Sequence, residues 1–511
     1  MRPTVRGSCL KWVVGTHVAC FLIALAWALD RLRPPNFAEG WFSDLAWNLN
    51  YQFNGRMAAD IPWGTGWIQG PGKLYLLIHS LYYKVFGVGV YQGRFVSFLA
   101  GLALLGLLYA WVRRHATREL ALLSVFLLFA TTSFWFFSVQ EVRQHVFYAL
   151  VSFACFALLT RALDRGRLRY DFAAGFCAAL SMDIDCRGVM LILIAYMFTA
   201  LYSVDRRGLR VGCMVLGSAA YFLIWLCLNV LPMGLSFYLR RVIPVTLGDG
   251  GPYTWGTLAS EFLRLNALLD SRIGVLDLAL WCGLLPLSRL HPLRSALPAR
   301  WAAGWLMITF VAMTLIERLD YIEHLLLYSP LLAYFCSLGL AVALERWRGL
   351  ATGAILVIAL ADWGAFAAIL YQRRDLDISG YQRRLRAFID PQKAILGSPQ
   401  HWYAFPDSRY YGGAYYLSRV IHPLKQLKEA QEYPDDNARR AALLGVLEAR
   451  GIEYVIGCEA LLPFLKRYFG ENLPSENFLL LAEFQDPYMG QGVAHPPPFT
   501  TRIYQVVSYR P

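Results

Sequence analysis

Apolar runs of near-bilayer length recur along most of this chain and leave it few ways to fold. The first covers residues 10–29. Ten more follow at about 95–112, 119–137, 146–160, 171–182, 188–204, 211–231, 273–287, 301–316, 324–343 and 351–370. About 20 helical residues cross the hydrocarbon core, so several of these runs are on the short side. Composition agrees: 57% of the 511 residues are hydrophobic and 16% charged, against roughly 25% charged in a soluble domain. A soluble chain of this size has no core large enough to hide so much apolar surface. The expected architecture is an all-α polytopic membrane domain of about eleven transmembrane helices over 1–370, followed by a small α/β domain over 371–511.

The first run is flanked by Arg2, Arg6 and Lys11, and a signal peptide is the competing reading. Asp30-Arg-Leu-Arg-Pro-Pro is a poor small-residue cleavage site, so an uncleaved helix with a cytoplasmic N-terminus is expected. Alternate connectors then carry the arginines: Arg113, Arg114 and Arg118; Arg161, Arg165, Arg167 and Arg169; Arg206, Arg207 and Arg210; Arg289, Arg294 and Arg300; Arg346 and Arg348. With eleven spans all of these fall on the cytoplasmic side, as the positive-inside rule asks, and only Arg240 and Arg241 break the trend. The C-terminal domain is thereby expected to be extracytoplasmic. Clustering between apolar runs, not along one polar face, also turns the net charge of +13 away from nucleic acid. Most of the ten cysteines sit inside apolar runs without metal-ligand spacing. Cys186 and Cys458 alone fall on the outer side, far apart in sequence, and no disulfide is expected.

Two outer loops are long, about 30–72 and 232–270. The segment 74–86, LYLLIHSLYYKVF, is apolar but short and carries His79 and Lys84. It reads as an interfacial or re-entrant helix, since a full span there would invert every later loop against the charge rule. Past Tyr371 the pattern changes to short β-like runs at 394–397, 454–457, 478–484 and 502–507, separated by helical stretches at 424–432 and 437–450. No glycine-rich phosphate fingerprint follows these strands, and no chemistry is assigned to them.

Ionisable groups near a membrane are costly and functional by default, and here they concentrate on the outer face. The first loop holds Glu39, Asp44, Asp60 and Lys73 among many aromatic residues. Outer turns supply Glu141, Arg143 and His145 in SVQEVRQHVFY, Asp183, Asp185 and Arg187 in SMDIDCRG, and Glu317, Arg318, Asp320 and His324 in IERLDYIEH. An acid can deprotonate a hydroxyl nucleophile, and arginine or lysine can hold a phosphate. A membrane enzyme acting on a lipid-linked phosphate needs both. No His or Cys cluster marks a metal site, although Asp44, Glu141 and Asp183 could gather around a divalent cation.

The order of these features resembles the GT-C fold glycosyltransferases, in particular the bacterial relatives of protein O-mannosyltransferases and of lipid A aminoarabinose transferases. After a first span comes a long outer loop with Asp44. GPGKLYLLIHSLYYKVFG follows, then Arg94 in YQGRFVSFLAGLALLGLLYAWVRR, then Gln140-Glu141-Val142-Arg143, and finally Tyr321 and His324 before Leu-Tyr-Ser-Pro-Leu-Leu. The likeness is clearest over 38–160 and weaker to about 345. It implies a sugar donor on a polyprenyl phosphate, a lipid, glycan or protein acceptor, and a site on the outer face of a bacterial cytoplasmic membrane. It also implies Asp44 as catalytic base and Arg143 on the donor phosphate. Lys73 and Arg94 are further phosphate candidates; Glu141, His145, Asp183, Asp185, Arg187, Tyr321 and His324 complete the expected substrate-binding set. The sequence departs from the family where Leu45 and Ala46 stand in place of a second acid, where Gly72-Lys73 replaces Pro-Pro, and at Gln144-His145. Three other readings stay open: Asp44 as an N-cap of a short helix, the chain as a non-catalytic polyprenyl-lipid-binding scaffold, and the chain as a lipid or sugar transporter.

Overall fold

The computed structural model describes residues 8–33, 35, 37–52, 73–139, 141–184, 188–203, 205–227, 231, 272–316, 321–374, 377–412, 435–458, 461–469, 476–486 and 499–510. Ten helices open the chain: α1 (Ser8–Ala28), α2 (Phe37–Gln52), α3 (Lys73–Phe86), α4 (Val90–His115), α5 (Arg118–Phe129), α6 (Thr132–Val139), α7 (His145–Arg165), α8 (Leu168–Leu180), α9 (Gly188–Tyr202) and α10 (Arg207–Trp225). After residues 232–271, which lie outside the described residues, come the helices Arg272–Ser288, Leu297–Ile316, Tyr321–Arg346 and Arg348–Gln372.

Each apolar run of the sequence holds a helix among the described residues, but one is broken. The run 119–137 forms α5 and α6, separated at Ala130 and Thr131. There the Thr131 hydroxyl donates to the Leu128 carbonyl at 2.6 Å beside its own backbone amide at 3.1 Å, so the ladder tightens to an i→i−3 bond at the break. By length and apolarity five helical stretches can each cross a membrane: Val90–His115, His145–Arg165, Arg207–Trp225, Leu325–Arg346 and Arg348–Gln372. Trp12–Ala28, Gly188–Tyr202 and Leu297–Ala312 are apolar but shorter. Small residues bring helices into backbone contact. A Cβ on Gly175 would overlap the Met214 carbonyl, and one on Gly217 the Phe172 carbonyl, so α8 and α10 lie against each other at a distance that larger residues forbid.

Helix α3 is amphipathic in the way an interfacial helix must be. Leu77, Leu81 and Val85, spaced four apart, are 39%, 55% and 73% exposed, whereas Tyr75, His79 and Tyr83 on the other side are buried.

The C-terminal domain is built on five strands, β1 (Ala394–Gly397), β2 (Tyr410–Gly412), β3 (Ile452–Gly457), β4 (Phe478–Asp486) and β5 (Phe499–Val506), in the order β2-β1-β3-β5-β4. β1 runs parallel to β2 and β3, and β5 pairs antiparallel with β3 and β4. Four of these strands coincide with the β-like runs of the sequence; β2 and the helix Leu461–Phe469 do not. The helical stretch 437–450 is found as Asp436–Arg450, while 424–432 lies outside the described residues. Successive side chains point to opposite faces of a sheet, and here they divide two cores. Leu396, Val455 and Tyr504 pack under the helices Asp436–Arg450 and Leu461–Phe469. Their neighbours Ile395, Ile456 and Ile503 join Tyr381, Leu385, Trp402 and Tyr403, and this second core reaches Val90 and the partly buried Trp47 and Val88 of the helical domain. One face of the sheet is thus covered by the helices Asp436–Arg450 and Leu461–Phe469, and the other by the helix Ile378–Phe388 and the turn Pro399–Ala404, through which it meets the membrane domain.

Candidate functional site

The ionisable residues of the end that carries the C-terminal domain converge on α2. Its sequence FAEGWFSDLAWNLNYQ is enclosed between α3 and the 3-10 turn Pro399–Ala404, so Glu39, Ser43, Asp44 and Asn48 are all buried. Buried polar groups need partners, and these partners define the geometry.

Glu39 and Arg94 form a fully buried bidentate pair, with Nε to Oε1 at 2.8 Å and Nη2 to Oε2 at 2.9 Å. The remaining terminal nitrogen, Nη1, donates to the carbonyls of Leu29 at 2.8 Å and Arg33 at 2.7 Å. Glu39 Oε1 also accepts from the Val142 backbone at 3.2 Å. Arg94 therefore ties α1, α2, α4 and the α6–α7 turn together, and each guanidinium nitrogen is directed at protein. Beside this pair Glu141 meets Arg33 at 2.8 Å and Arg143 at 2.8 Å. Burial raises the Glu141 carboxyl, and Arg143, Arg33 and more distantly His145 oppose it. Arg143 keeps one fifth of its side chain exposed. Arg373 stands close enough to Arg33 and Arg94 to feel both charges, so four arginines face two glutamates here, a local excess that favours an anion.

Asp44 is the eighth residue of α2, well inside the helix, which removes the N-cap reading. Its carboxylate accepts from Asn48 Nδ2, one turn on, and that amide also reaches the Asp44 carbonyl at 2.9 Å. Burial pushes the Asp44 carboxyl from the usual carboxylate range up to about 8, and the Asn48 hydrogen bond opposes this only in part. Glu39 and Asp44 share one helix, yet among the described residues only Glu39 has an arginine against it.

A chain of hydroxyls fixes the helix. Ser43 Oγ lies 2.7 Å from Tyr83 Oη of α3 and 2.7 Å from Tyr403 Oη of the C-terminal domain, and Tyr403 donates to the Glu39 carbonyl at 3.2 Å. Donation from Tyr83 to Ser43, Ser43 to Tyr403 and Tyr403 to Glu39 uses one proton per hydroxyl and leaves none wasted. Gly40 completes the junction, because a Cβ there would overlap the Pro399 carbonyl. Tyr75 packs edge-on against Phe42 of α2 and Phe147 of α7, and its buried hydroxyl has no hydrogen-bond partner among the described residues.

The other expected site residues are dispersed or undefined. Asp183 is buried and accepts from Tyr221 Oη at 2.8 Å. His145 is buried at the start of α7. Lys73 opens α3, and Tyr321 and His324 open their helix, but their side chains, like Asp185 and Arg187 entirely, lie outside the described residues. Among the described residues no three His, Cys, Asp or Glu side chains come together as a metal site, so Asp44, Glu141 and Asp183 do not gather around a cation there. Glu39, Arg33, Asn48, Tyr75, Tyr83 and Tyr403 belong to the constellation although only Glu39 carried a sequence signal, as an acid in the aromatic loop.

Comparison with known proteins places this geometry. Residues 71–230 match the family of dolichyl-phosphate-mannose-protein mannosyltransferases. Two crystal structures of ArnT from Cupriavidus metallidurans share the fold at a TM-score of 0.64: one bound to undecaprenyl phosphate, 14% identical over 98% of this chain and 99% of that one, and one in the apo state, 15% identical over 97% of each. No protein of curated function matches in sequence.

Proposed function

We propose, from the premise that this chain is a GT-C fold relative of those mannosyltransferases and of ArnT, that it transfers one sugar from a polyprenyl-phosphate donor to a hydroxyl of a lipid, glycan or protein acceptor. The reaction takes place at the outer face of a bacterial cytoplasmic membrane, on the side of the C-terminal domain. The observation that carries this reading is Asp44: a buried carboxyl, opposed by no arginine among the described residues, on a helix locked beside an arginine-rich cluster. Undecaprenyl phosphate bound to a protein of the same fold supports the donor class.

In this scheme the acceptor hydroxyl gives its proton to the Asp44 carboxylate while its oxygen attacks the anomeric carbon. The bond from that carbon to the phosphate oxygen breaks, and the electron pair leaves with polyprenyl phosphate. One acid suffices, because a phosphate leaves without being protonated, and a single displacement inverts the anomeric centre. Arg143, partly exposed at the edge of the cluster, holds the departing phosphate, with Lys73 and the opening of the Tyr321–Arg346 helix as further contacts. Arg94 is assigned a positioning role, since its donors are spent on Glu39, Leu29 and Arg33. A base whose pKa is near 8 is only partly ionised at neutral pH, so transfer should climb with pH until Asp44 is ionised. The test is incubation of membranes containing the protein with a panel of labelled polyprenyl-phosphate sugars. Release of polyprenyl phosphate coupled to label in an acceptor supports the reading, and retention of intact donor with no transfer marks a binding scaffold instead.

A further inference from the structure

A second anion-binding feature lies away from Asp44. A cleft of about 970 Å³ opens where the end of α1, the α3–α4 turn and the passage from the Arg348–Gln372 helix into Ile378–Phe388 meet. Trp27, Arg31, Tyr91, Arg373, Arg374 and Gln382 are among its walls, and neither Asp44 nor Arg143 is. The Arg31 guanidinium lies 4.6 Å over the Trp27 ring and that of Arg374 lies 4.4 Å over Tyr371, so both cations are held flat at the edge of aromatic surface.

Arg373 lines the inner wall. Its Nη1 donates to the Leu32 carbonyl, and among the described residues neither it nor Arg31 has a carboxylate in ion-pair range. Burial, then the neighbouring charges of Arg33 and Arg94, lower the Arg373 guanidinium to about 10. A partly buried cation beside like charges is stabilised by an anion entering from the open side. Among the described residues the lining holds three arginines and two acids, Asp30 and Asp377, and Asp377 turns one oxygen to the Gly380 amide at 2.7 Å as the cap of its helix while the other lies 3.8 Å from Arg383.

The surroundings indicate the carrier of that anion. α1 and the Arg348–Gln372 helix touch through Phe21 and Trp363, whose ring centroids are 4.8 Å apart. Trp27 and Tyr371, at the ends of these two helices beside the cleft, are exposed, and further along the same helices so are Ile23, Val357 and Leu360. Tryptophan and tyrosine below a patch of arginines form the boundary between acyl chains and headgroups.

We propose that this cleft binds the phosphate of an anionic glycerophospholipid, with its acyl chains along α1 and the Arg348–Gln372 helix. The site shares Arg373 with the arginine cluster but holds neither Asp44 nor Arg143, and its test reads binding alone. The full chain, purified in detergent, is titrated with phosphatidylglycerol, phosphatidylcholine, a polyprenyl phosphate and inorganic phosphate. Retention is read by native mass spectrometry and stabilisation by thermal melting. Phosphatidylglycerol should be retained in preference to phosphatidylcholine. Each arginine near an anionic lipid surface contributes roughly fivefold in affinity, so Arg31→Gln with Arg374→Gln should weaken retention about twentyfold. Arg348→Gln, exposed at the far end of the same helix, should change nothing. Arg31→Gln alone, at an exposed side chain, serves if the double variant fails to fold. Equal retention by wild type and the Arg31 variant would overturn the site. Stabilisation by inorganic phosphate equal to that by the lipid would overturn the lipid as its ligand, and preferential uptake of polyprenyl phosphate would make the cleft part of the donor path.

Discussion

The two ends of the helical bundle treat charge in opposite ways. At the end that carries the C-terminal domain, Glu39, Arg94, Glu141, Asp44, His145 and Asp183 are buried and most of them are paired. At the other end Arg113, Arg165, Arg167, Arg206, Arg207, Arg346 and Arg348 are exposed, and the buried exceptions are Asp171 and Arg210, of which Arg210 donates to the Ala162 carbonyl at 3.1 Å. Exposed arginines on short connectors suffice to orient a membrane protein; they need no partners because water serves them. A buried ion pair costs desolvation, and replacing it by apolar residues is often harmless or better. A chain that keeps two such pairs around one helix is holding that helix for a reason other than stability. Among the described residues the buried arginine–glutamate pairs lie at one end, and that end is where Asp44 lies.

Charge removal separates the two ends most sharply. Glu39→Gln leaves Arg94 buried without its carboxylate and should cost about 3–5 kcal/mol, seen as loss of monodisperse protein on detergent extraction. Arg165→Gln or Arg346→Gln, at exposed positions of the other end, should stay within about 0.5 kcal/mol of wild type. Similar losses at both ends would dissolve the distinction. A smaller effect tests how the C-terminal domain holds α2. Gly40→Val places side-chain atoms into Pro399 and should cost about 1–3 kcal/mol, with faster proteolytic release of that domain. Tyr403→Phe removes the hydroxyl shared with Ser43 and Glu39 and should cost about 1 kcal/mol. If Tyr403 positions α2, the variant lowers kcat more than it raises KM; a purely structural residue would alter yield and leave both constants alone.

The mildest prediction is a pH dependence of stability. A carboxyl raised to about 8 in the folded chain binds its proton more tightly there than when unfolded. Its contribution is therefore complete below the ordinary carboxylate pKa and is lost as pH rises through about 8. Asp44→Asn, isosteric and uncharged, should melt a few degrees above wild type at pH 9, with the difference shrinking as pH falls through 5 toward the ordinary carboxylate range. A variant that melts lower at pH 9 would mean that the Asp44 charge is stabilised, against the desolvated site described here.

Much of this fold is legible in the sequence because its determinants are local. Apolar runs give helices, a short amphipathic run gives α3 at 74–86, and alternation gives four of the five strands. The α5–α6 break escapes a hydropathy reading because it is a tightening of the backbone ladder at Thr131, and the small polar residues Thr131, Thr132 and Ser133 do not interrupt an apolar run. β2, three residues long, is too short to show a period. The site is only half legible. Asp44 stands out as an acid in an aromatic loop, but Tyr403 reaches Ser43 across 360 positions of sequence, and no local pattern announces such a bond. Arg94, expected at the donor phosphate, is instead spent on Glu39, a pairing that becomes visible only once α2 and α4 are adjacent.

The central claim is that Asp44 removes the acceptor proton in a sugar transfer at this end of the bundle. The most direct test is transfer of labelled sugar from a polyprenyl-phosphate donor in membranes, wild type against Asp44→Asn at matched expression, with donor binding followed in parallel. The account predicts that the variant binds donor as wild type does and loses transfer by about 100-fold or more, the scale of a missing general base. Transfer at the wild-type rate by Asp44→Asn would contradict it.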